Sequence, residues 1–293
     1  MARLAILDAP LDCSGAGRAE QDAPAALRAA GLIERLGGRD AGEADARIGD
    51  SRRDPETGVI GAADVRRAAV VIAARLRELL DAGELPVVVG GDCTLLLGVF
   101  QALPRGSGLW FVDGHADFFD GESSPTGEAA DMDLAILMGH GPPGLLEDDG
   151  PLVDPAAVAL LGHRPDDLHP DVALENARLD PAIRALTAPA IRERGAARVG
   201  EEAAAQLARR PAWLHLDLDV LDEAALPAVS YPQSRGLDWD EFVELARPLV
   251  AAPNLLGVSV ADFNPDRDPD GGDAARVVDA LAALWSTNVN GGG

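Results

Sequence analysis

Short apolar runs alternate with longer stretches of helical spacing along this 293-residue chain. Leu4 to Leu7 opens as a strand closed by Asp8-Ala-Pro10. A Gly-rich loop, Cys13 to Gln21, leads to Asp22 as an N-cap, with Pro24 just inside a helix that ends near Gly31. Val65, Ala69, Ile72, Leu76 and Leu79 keep one face of Ala62 to Asp81 apolar, and Gly83 stops that helix. Val87 to Val89, Leu109 to Val112, Ala157 to Leu161, Trp213 to Leu216 and Leu255 to Val260 are largely apolar runs that do not alternate with polar residues, the pattern of strands buried on both faces. A helix follows Gly90 to Thr94 and runs through Phe100. Asp238 and Glu241 form a capping box for another helix, and the last runs from about Asp273 to Trp285. Strands separated by helices predict a mostly parallel sheet between two helical layers, one three-layer α/β/α domain spanning residues 1–293. Ligands in such a fold bind at the carboxyl ends of the strands. The stretches Gly121 to Gly127 and Gly141 to Pro155 read as surface loops, and the final Gly-Gly-Gly as a frayed end.

Four of those strand ends carry residues that an ordinary core would reject. Val89 is followed by Gly-Gly-Asp92-Cys93, Val112 by Asp113, His115 and Asp117, Leu216 by Asp217 and Asp219, and Val260 by Asp262. Residues two apart on a strand leave on one face, so two carboxylates and an imidazole converge after Val112. A single Asp there is explained as an N-cap for the next helix, but one helix start uses one cap. Desolvating an unpaired polar group costs about 2–7 kcal/mol, so the trio needs compensating charge, most simply a bound cation. Two such clusters on separate parallel strands point to a dinuclear metal site, with carboxylates bridging ions about 3.5–4 Å apart. A rival reading makes LHLDLDVLDE the Asp-x-Asp nucleophile of a phosphotransferase, but it leaves the His115 trio unexplained and needs its Asp pair nearer the chain start. His215 shares the Asp217 face by strand alternation and reads as hydrogen-bonding support for a ligand. His140 and His163 read as surface histidines, Trp239 and Phe242 as the packed face of a helix, and Cys13 as a structural thiol.

Composition narrows the partners. The 25 Lys+Arg against 49 Asp+Glu give a net charge of −24, which repels nucleic acid and anionic membrane and suits a small cationic substrate. An acidic surface serving solubility alone is the plainer account of the same charge. Two cysteines make no disulfide framework and fit a reducing cytoplasm. No apolar run reaches the roughly 18 residues that span a bilayer, and Met1-Ala-Arg3 opens into a strand rather than a signal peptide.

GGDCT (90–94), DGHAD (113–117) and HLDLDVLDE (215–223), in this order on successive predicted strands, resemble the three signatures of the ureohydrolase family of arginases, agmatinases and related amidinohydrolases. The resemblance runs from Asp8-Ala-Pro10 to Asn264-Pro265. It implies an arginase-like fold and metal-dependent hydrolysis of a guanidino or amidino C–N bond, releasing urea or a related amide. It places six metal ligands on Cys93, Asp113, His115, Asp117, Asp217 and Asp219. Asp117 would accept a hydrogen bond from the nucleophile, and Asp262, in ADFNP, would hold the guanidinium. Two Mn²⁺ are implied, while a thiolate at Cys93 leaves Zn²⁺, Co²⁺ or Ni²⁺ open. Related proteins form trimers or hexamers, so a homo-oligomer is expected by analogy.

The departures from the family pattern are specific. Cys93 stands where histidine is usual, a change also found in a hydroxyarginine amidinohydrolase that resembles this chain in the other signatures. Asp262 replaces the Glu of arginase. The proton-shuttling histidine falls on Ala130, the asparagine that reads the arginine α-carboxylate on Phe119, and the threonine that helps position the Glu of arginase on Tyr231. Recognition of arginine itself is therefore not implied. Two other classes stay in view: a non-catalytic homologue acting as a partner subunit, and a metal-dependent deacylase of acylated polyamines.

Overall fold

The computed structural model describes residues 3–146 and 150–286. The Gly-Gly-Gly end lies outside them, as do residues 147–149 of the loop expected at 141–155. A largely apolar run without alternating polar positions has no face to offer water, and the central strands behave accordingly. Every residue of β4 (Gly108–Val112) and β7 (Ala212–Asp217) is buried. With β1 (Leu4–Ala9), β2 (Arg39–Glu43), β3 (Leu85–Gly90), β5 (Val158–Gly162), β6 (Arg184–Thr187) and β8 (Leu255–Ala261), they form one eight-stranded sheet in the order β2-β1-β3-β8-β7-β4-β5-β6. Every ladder is parallel, so the expected α/β sheet is present. The two edge strands, β2 and β6, were not expected. Both are half-exposed and carry mixed polar sequence (RDAGE and RALT), so neither shows the buried-strand signature.

Strands buried on both faces require cover on both, and the helices supply two rows. In one, α3 (Ala62–Asp81) packs on α4 (Leu95–Ala102). The other runs from α1 (Ala23–Ala29) and α2 (Leu32–Leu36) across α10 (Gly272–Trp285) and α9 (Trp239–Val250) to α8 (Ala196–Leu207) and α7 (Ala188–Arg194). Between them in sequence lie α5 (Asp133–Ala135), carried on by the wide turns of Ile136–His140, and α6 (Pro170–Asn176). The Asp238–Glu241 capping box forms as expected, and Trp239 and Phe242 are buried on the packed face of α9. Asp22 does not cap: a 3-10 turn (Glu20–Asp22) runs straight into α1, which leaves Asp22 in helical backbone with no amide to accept. Among the described residues no helix is long and apolar enough to cross a membrane.

β3, β8, β7 and β4 are neighbours at the middle of the sheet, although β3 and β4 follow one another in sequence. That reversal of strand order opens a crevice at the carboxyl ends, where open α/β sheets bind ligands. The loops there are stitched by Arg164, which is 1% exposed. Its guanidinium donates to the carbonyls of Asp219 (2.8 Å), Leu221 (2.9 Å), Ser234 (3.0 Å), Gln233 (3.1 Å) and Val220 (3.2 Å). Arg164→Met keeps the volume but strands those carbonyls in the interior. The expected loss is about 3–5 kcal/mol of stability, read as a lower urea midpoint with an unchanged slope; an unchanged midpoint would refute the stitching role.

Candidate functional site

The four central strands deliver the predicted residues to one place. Cys93 arrives from β3, Asp113 and His115 from β4, Asp217 and Asp219 from β7, and Asp262 from β8. The Cys93 Sγ lies 2.6 Å from Asp217 Oδ2 and 3.8 Å from Asp113 Oδ2. His115 Nδ1 is 2.7 Å from Asp219 Oδ2. Backbone amides fix one oxygen on three of the aspartates: His115 N donates to Asp113 Oδ1 (2.7 Å), Asp219 N to Asp217 Oδ1 (2.7 Å) and Gly114 N to Asp219 Oδ1 (3.1 Å). Gly114 is required for this packing, because a Cβ there would stand 2.7 Å from Asp219 Oδ1 and 2.9 Å from Arg164. Asp117 and Asp262 sit at φ +47° and +67°, a left-handed backbone that non-glycine residues adopt only when their surroundings hold them there.

His215 lies under the cluster rather than in its mouth. It is fully buried, stacks on Phe111, and places Nε2 3.1 Å from the Cys93 sulfur and Nδ1 2.8 Å from Ser259 Oγ. Trp213 Nε1 donates to the same hydroxyl at 2.9 Å. With Cys93 as thiolate, Nε2 donates to sulfur and Nδ1 accepts the Ser259 proton. Burial pushes the His215 pKa down to about 3, so the ring is neutral.

The electrostatics of the cluster are lopsided. Burial raises the pKa of Asp113, Asp117, Asp217 and Asp262, and neighbouring carboxylates raise each further. The Cys93 thiol is pushed up by burial, then by Asp217 and Asp113. Burial opposes a charged His115 and a charged Asp219, yet their pairing overrides it, holding the histidine up and the carboxylate down. One oxygen of Asp262 is buried with no partner. So many acids around one point, with donor atoms of Asp113, His115 and Asp219, of Cys93, Asp113, His215 and Asp217, and of Asp217, Asp219 and Asp262 each within 4.8 Å of one another, fit divalent cations.

Residues 2–285 match the Arginase family. An arginase of Bacillus caldovelox is 32% identical over 248 residues, 79% of this chain and 81% of that one. The chain belongs to the arginase family. A solved structure of arginase from Bacillus caldovelox has a TM-score of 0.85 to it, at 28% identity over 99% of this chain and 100% of that one. The agmatine ureohydrolase of Thermoplasma volcanium shares the fold at a TM-score of 0.70 and 19% identity, covering 97% and 88%. Arginase-family proteins are hydrolases of amidino C–N bonds that depend on a binuclear metal centre.

In this family member the cluster forms the floor of a cavity of about 400 Å³. Ala130, Phe119 and Tyr231, the positions of departure, all line it. Cys13, expected as a structural thiol, is buried but also lines the cavity, its Sγ 3.8 Å from Glu128 Oε2. Arg18 closes the rim through Glu128 (2.8 Å) and the Tyr231 hydroxyl (2.7 Å). His163, expected at the surface, is buried and its pKa is pushed down to about 4 by that burial. It follows β5 directly, so it shares the enclosed end of that strand. His140 is exposed as expected. Sequence reading missed Arg164, Asp133 and Glu175, all buried around the site. Asp133 precedes the apolar run Leu134 to Leu137, where an acid reads as a helix cap, and so it hides.

The buried acids set a pH dependence for the metal-free protein. Above about pH 6.5 the lowered histidines no longer contribute a slope. Glu20, raised by burial to about 7, and His115, held up to about 9 by its pairing with Asp219, keep protons that the unfolded chain has released, and burial pushes Asp113, Asp117, Asp217 and Asp262 in the same direction. The folded state then binds more protons than the unfolded one, so stability falls as pH rises. Melting temperature after chelation is expected to drop between about pH 6.5 and 8.5, with added Mn²⁺ restoring most at the upper end. A rise with pH in the chelated protein would contradict the assignment.

Proposed function

We propose that this protein hydrolyses the guanidino C–N bond of a small cationic substrate, releasing urea, with two divalent cations held by Cys93, Asp113, His115, Asp117, Asp217 and Asp219. The observation that carries the reading is the convergence of those six side chains into overlapping donor groups on the floor of one cavity. Asp113 and Asp217 each belong to two of the groups, which suits them to be shared between ions. Oxygen donors predominate and favour Mn²⁺, while the single sulfur leaves Zn²⁺, Co²⁺ or Ni²⁺ as competitors. Cations bound there would lower the pKa of a water toward about 7 and stabilise negative charge as it develops on the substrate.

The chain's own groups supply the rest. Asp117 accepts a hydrogen bond from the attacking oxygen and keeps its lone pair aimed at the substrate carbon. Asp262, with its free buried oxygen, pairs with the guanidinium and holds it flat above the cluster. His215 orients Cys93 from below and touches neither reactant, so it is a positioning residue. Glu20, Glu128, Asp131 and Asp171 line the cavity and favour a substrate with net positive charge. Two buried cysteines without a disulfide suit a reducing cytoplasm.

Asp113→Ala or Asp217→Ala is expected to remove both bound metal and urea release, measured by elemental analysis and a urea assay across arginine, agmatine, guanidino acids and hydroxyguanidines. Asp262→Asn is expected to keep its metal and lose about 10–100-fold in kcat/KM. Full activity in either aspartate-to-alanine variant would refute the site. Wild-type protein that takes up no Mn²⁺ would favour the non-catalytic homologue.

A further inference from the structure

Asp133 is a buried acid that the proposed reaction does not use. It opens α5, is 0% exposed, and neither of its oxygens has a hydrogen bond of normal geometry. The amide of Leu134, next in the chain, eases its charge only slightly. Other aspartates at turns in this chain are used differently. Asp54 accepts from the amides of Glu56 and Thr57, Asp120 from those of Glu122 and Ser123, and Asp154 from that of Ala156. Asp133 makes no such turn and, among the described residues, has no cationic partner; the charges that bear on it most, Asp217 and Asp92, are negative.

One of its oxygens reaches the cysteine end of the cluster instead. The donor atoms of Cys93, Asp117 and Asp133 all lie within 4.8 Å of one another. The segment that carries it is tied to the same loop, since the Ala135 amide donates to the Asp117 carbonyl at 3.3 Å. A buried carboxylate with no hydrogen bond of normal geometry, enclosed with two expected ligands, is positioned for a cation rather than for water. We propose that Asp133 is a seventh metal ligand, binding the ion at the Cys93 end of the pair. A thiolate offers that ion one soft donor, and the added carboxylate oxygen makes its surroundings hard enough for Mn²⁺. The two ions then differ: one sits among Cys93, Asp117 and Asp133, the other beside His115 and Asp219.

This inference rests on the metal-centre reading above, and one experiment separates the two. Metal-free wild type, Asp133→Asn and Asp133→Ser are titrated with Mn²⁺, following free Mn²⁺ by electron paramagnetic resonance, and with Co²⁺ by absorption. Wild type is expected to bind two ions. Both variants should bind one as wild type does and the other about 10–100-fold more weakly. The weakened ion should be the one that gives the cysteine-to-cobalt charge-transfer band. The metal-free melting temperature of Asp133→Asn should equal or exceed that of wild type, since a buried acid is removed without loss of volume. Unchanged affinities, equal weakening of both ions, or weakening of the ion without the cysteine band each overturn the role of Asp133 alone. A wild type that binds no metal overturns both readings.

Discussion

Negative charge concentrated in a dry place is the constraint on which this structure turns. Asp113, Asp117, Asp217 and Asp262, crowded at the carboxyl ends of β4, β7 and β8, are raised in pKa by burial and again by one another. Backbone amides and the His115–Asp219 pair relieve part of that repulsion, but several oxygens are left facing inward with no donor. Such an arrangement is poor design for stability alone, because apolar residues of the same volume would pack there at lower cost. It makes sense if folding prepares a receptor for positive charge, with the stability forgone in the metal-free protein regained on binding.

The scaffold's features follow from holding that receptor rigid. The four central parallel strands bring their carboxyl ends side by side, so one to three residues from each end reach the same point without long, adaptable side chains. Arg164 fastens the loops after β4, β5 and β7 through their carbonyls, leaving the carboxylates themselves free for other partners. The strained backbone at Asp117 and Asp262 belongs to the same economy: each turns its carboxylate toward the crevice at a cost that the surrounding hydrogen bonds sustain. Asp262 is held by its amide donating to the Gly91 carbonyl at 2.6 Å, which joins the strand end that bears Cys93 to the one that bears Asp262.

Much of this was legible in the sequence, and what was missed had a common cause. Strands β1, β3, β4, β5, β7 and β8 announce themselves as largely apolar runs, and the i, i+2 spacing of polar residues after β4 already groups Asp113, His115 and Asp117. The edge strands β2 and β6 are silent because an exposed strand has no reason to be apolar. Asp22 has the composition of a cap but the wrong backbone, since a 3-10 turn leads into α1. His163 and Asp133 are judged by sequence neighbours that look like surface loop and helix start, whereas their burial comes from elements far away along the chain. Local pattern reports what a residue does to its own segment; it cannot report which distant segment closes over it.

The cysteine at position 93 shows how these levels connect. In the metal-free cluster its thiol is pushed upward by burial and by Asp217 and Asp113, so it carries its proton at neutral pH. A cation held among the same carboxylates would reverse the field and favour the thiolate, so metal uptake and thiol ionisation would be linked. The neutral His215 below can then donate Nε2–H to the sulfur, with its tautomer set by Ser259 and Trp213. Tying Cys93 to a chain of buried groups fixes where the sulfur sits but does nothing to harden it. The hardness has to come from the oxygen side of the site, from Asp117, Asp217 and whatever further carboxylate the fold encloses there.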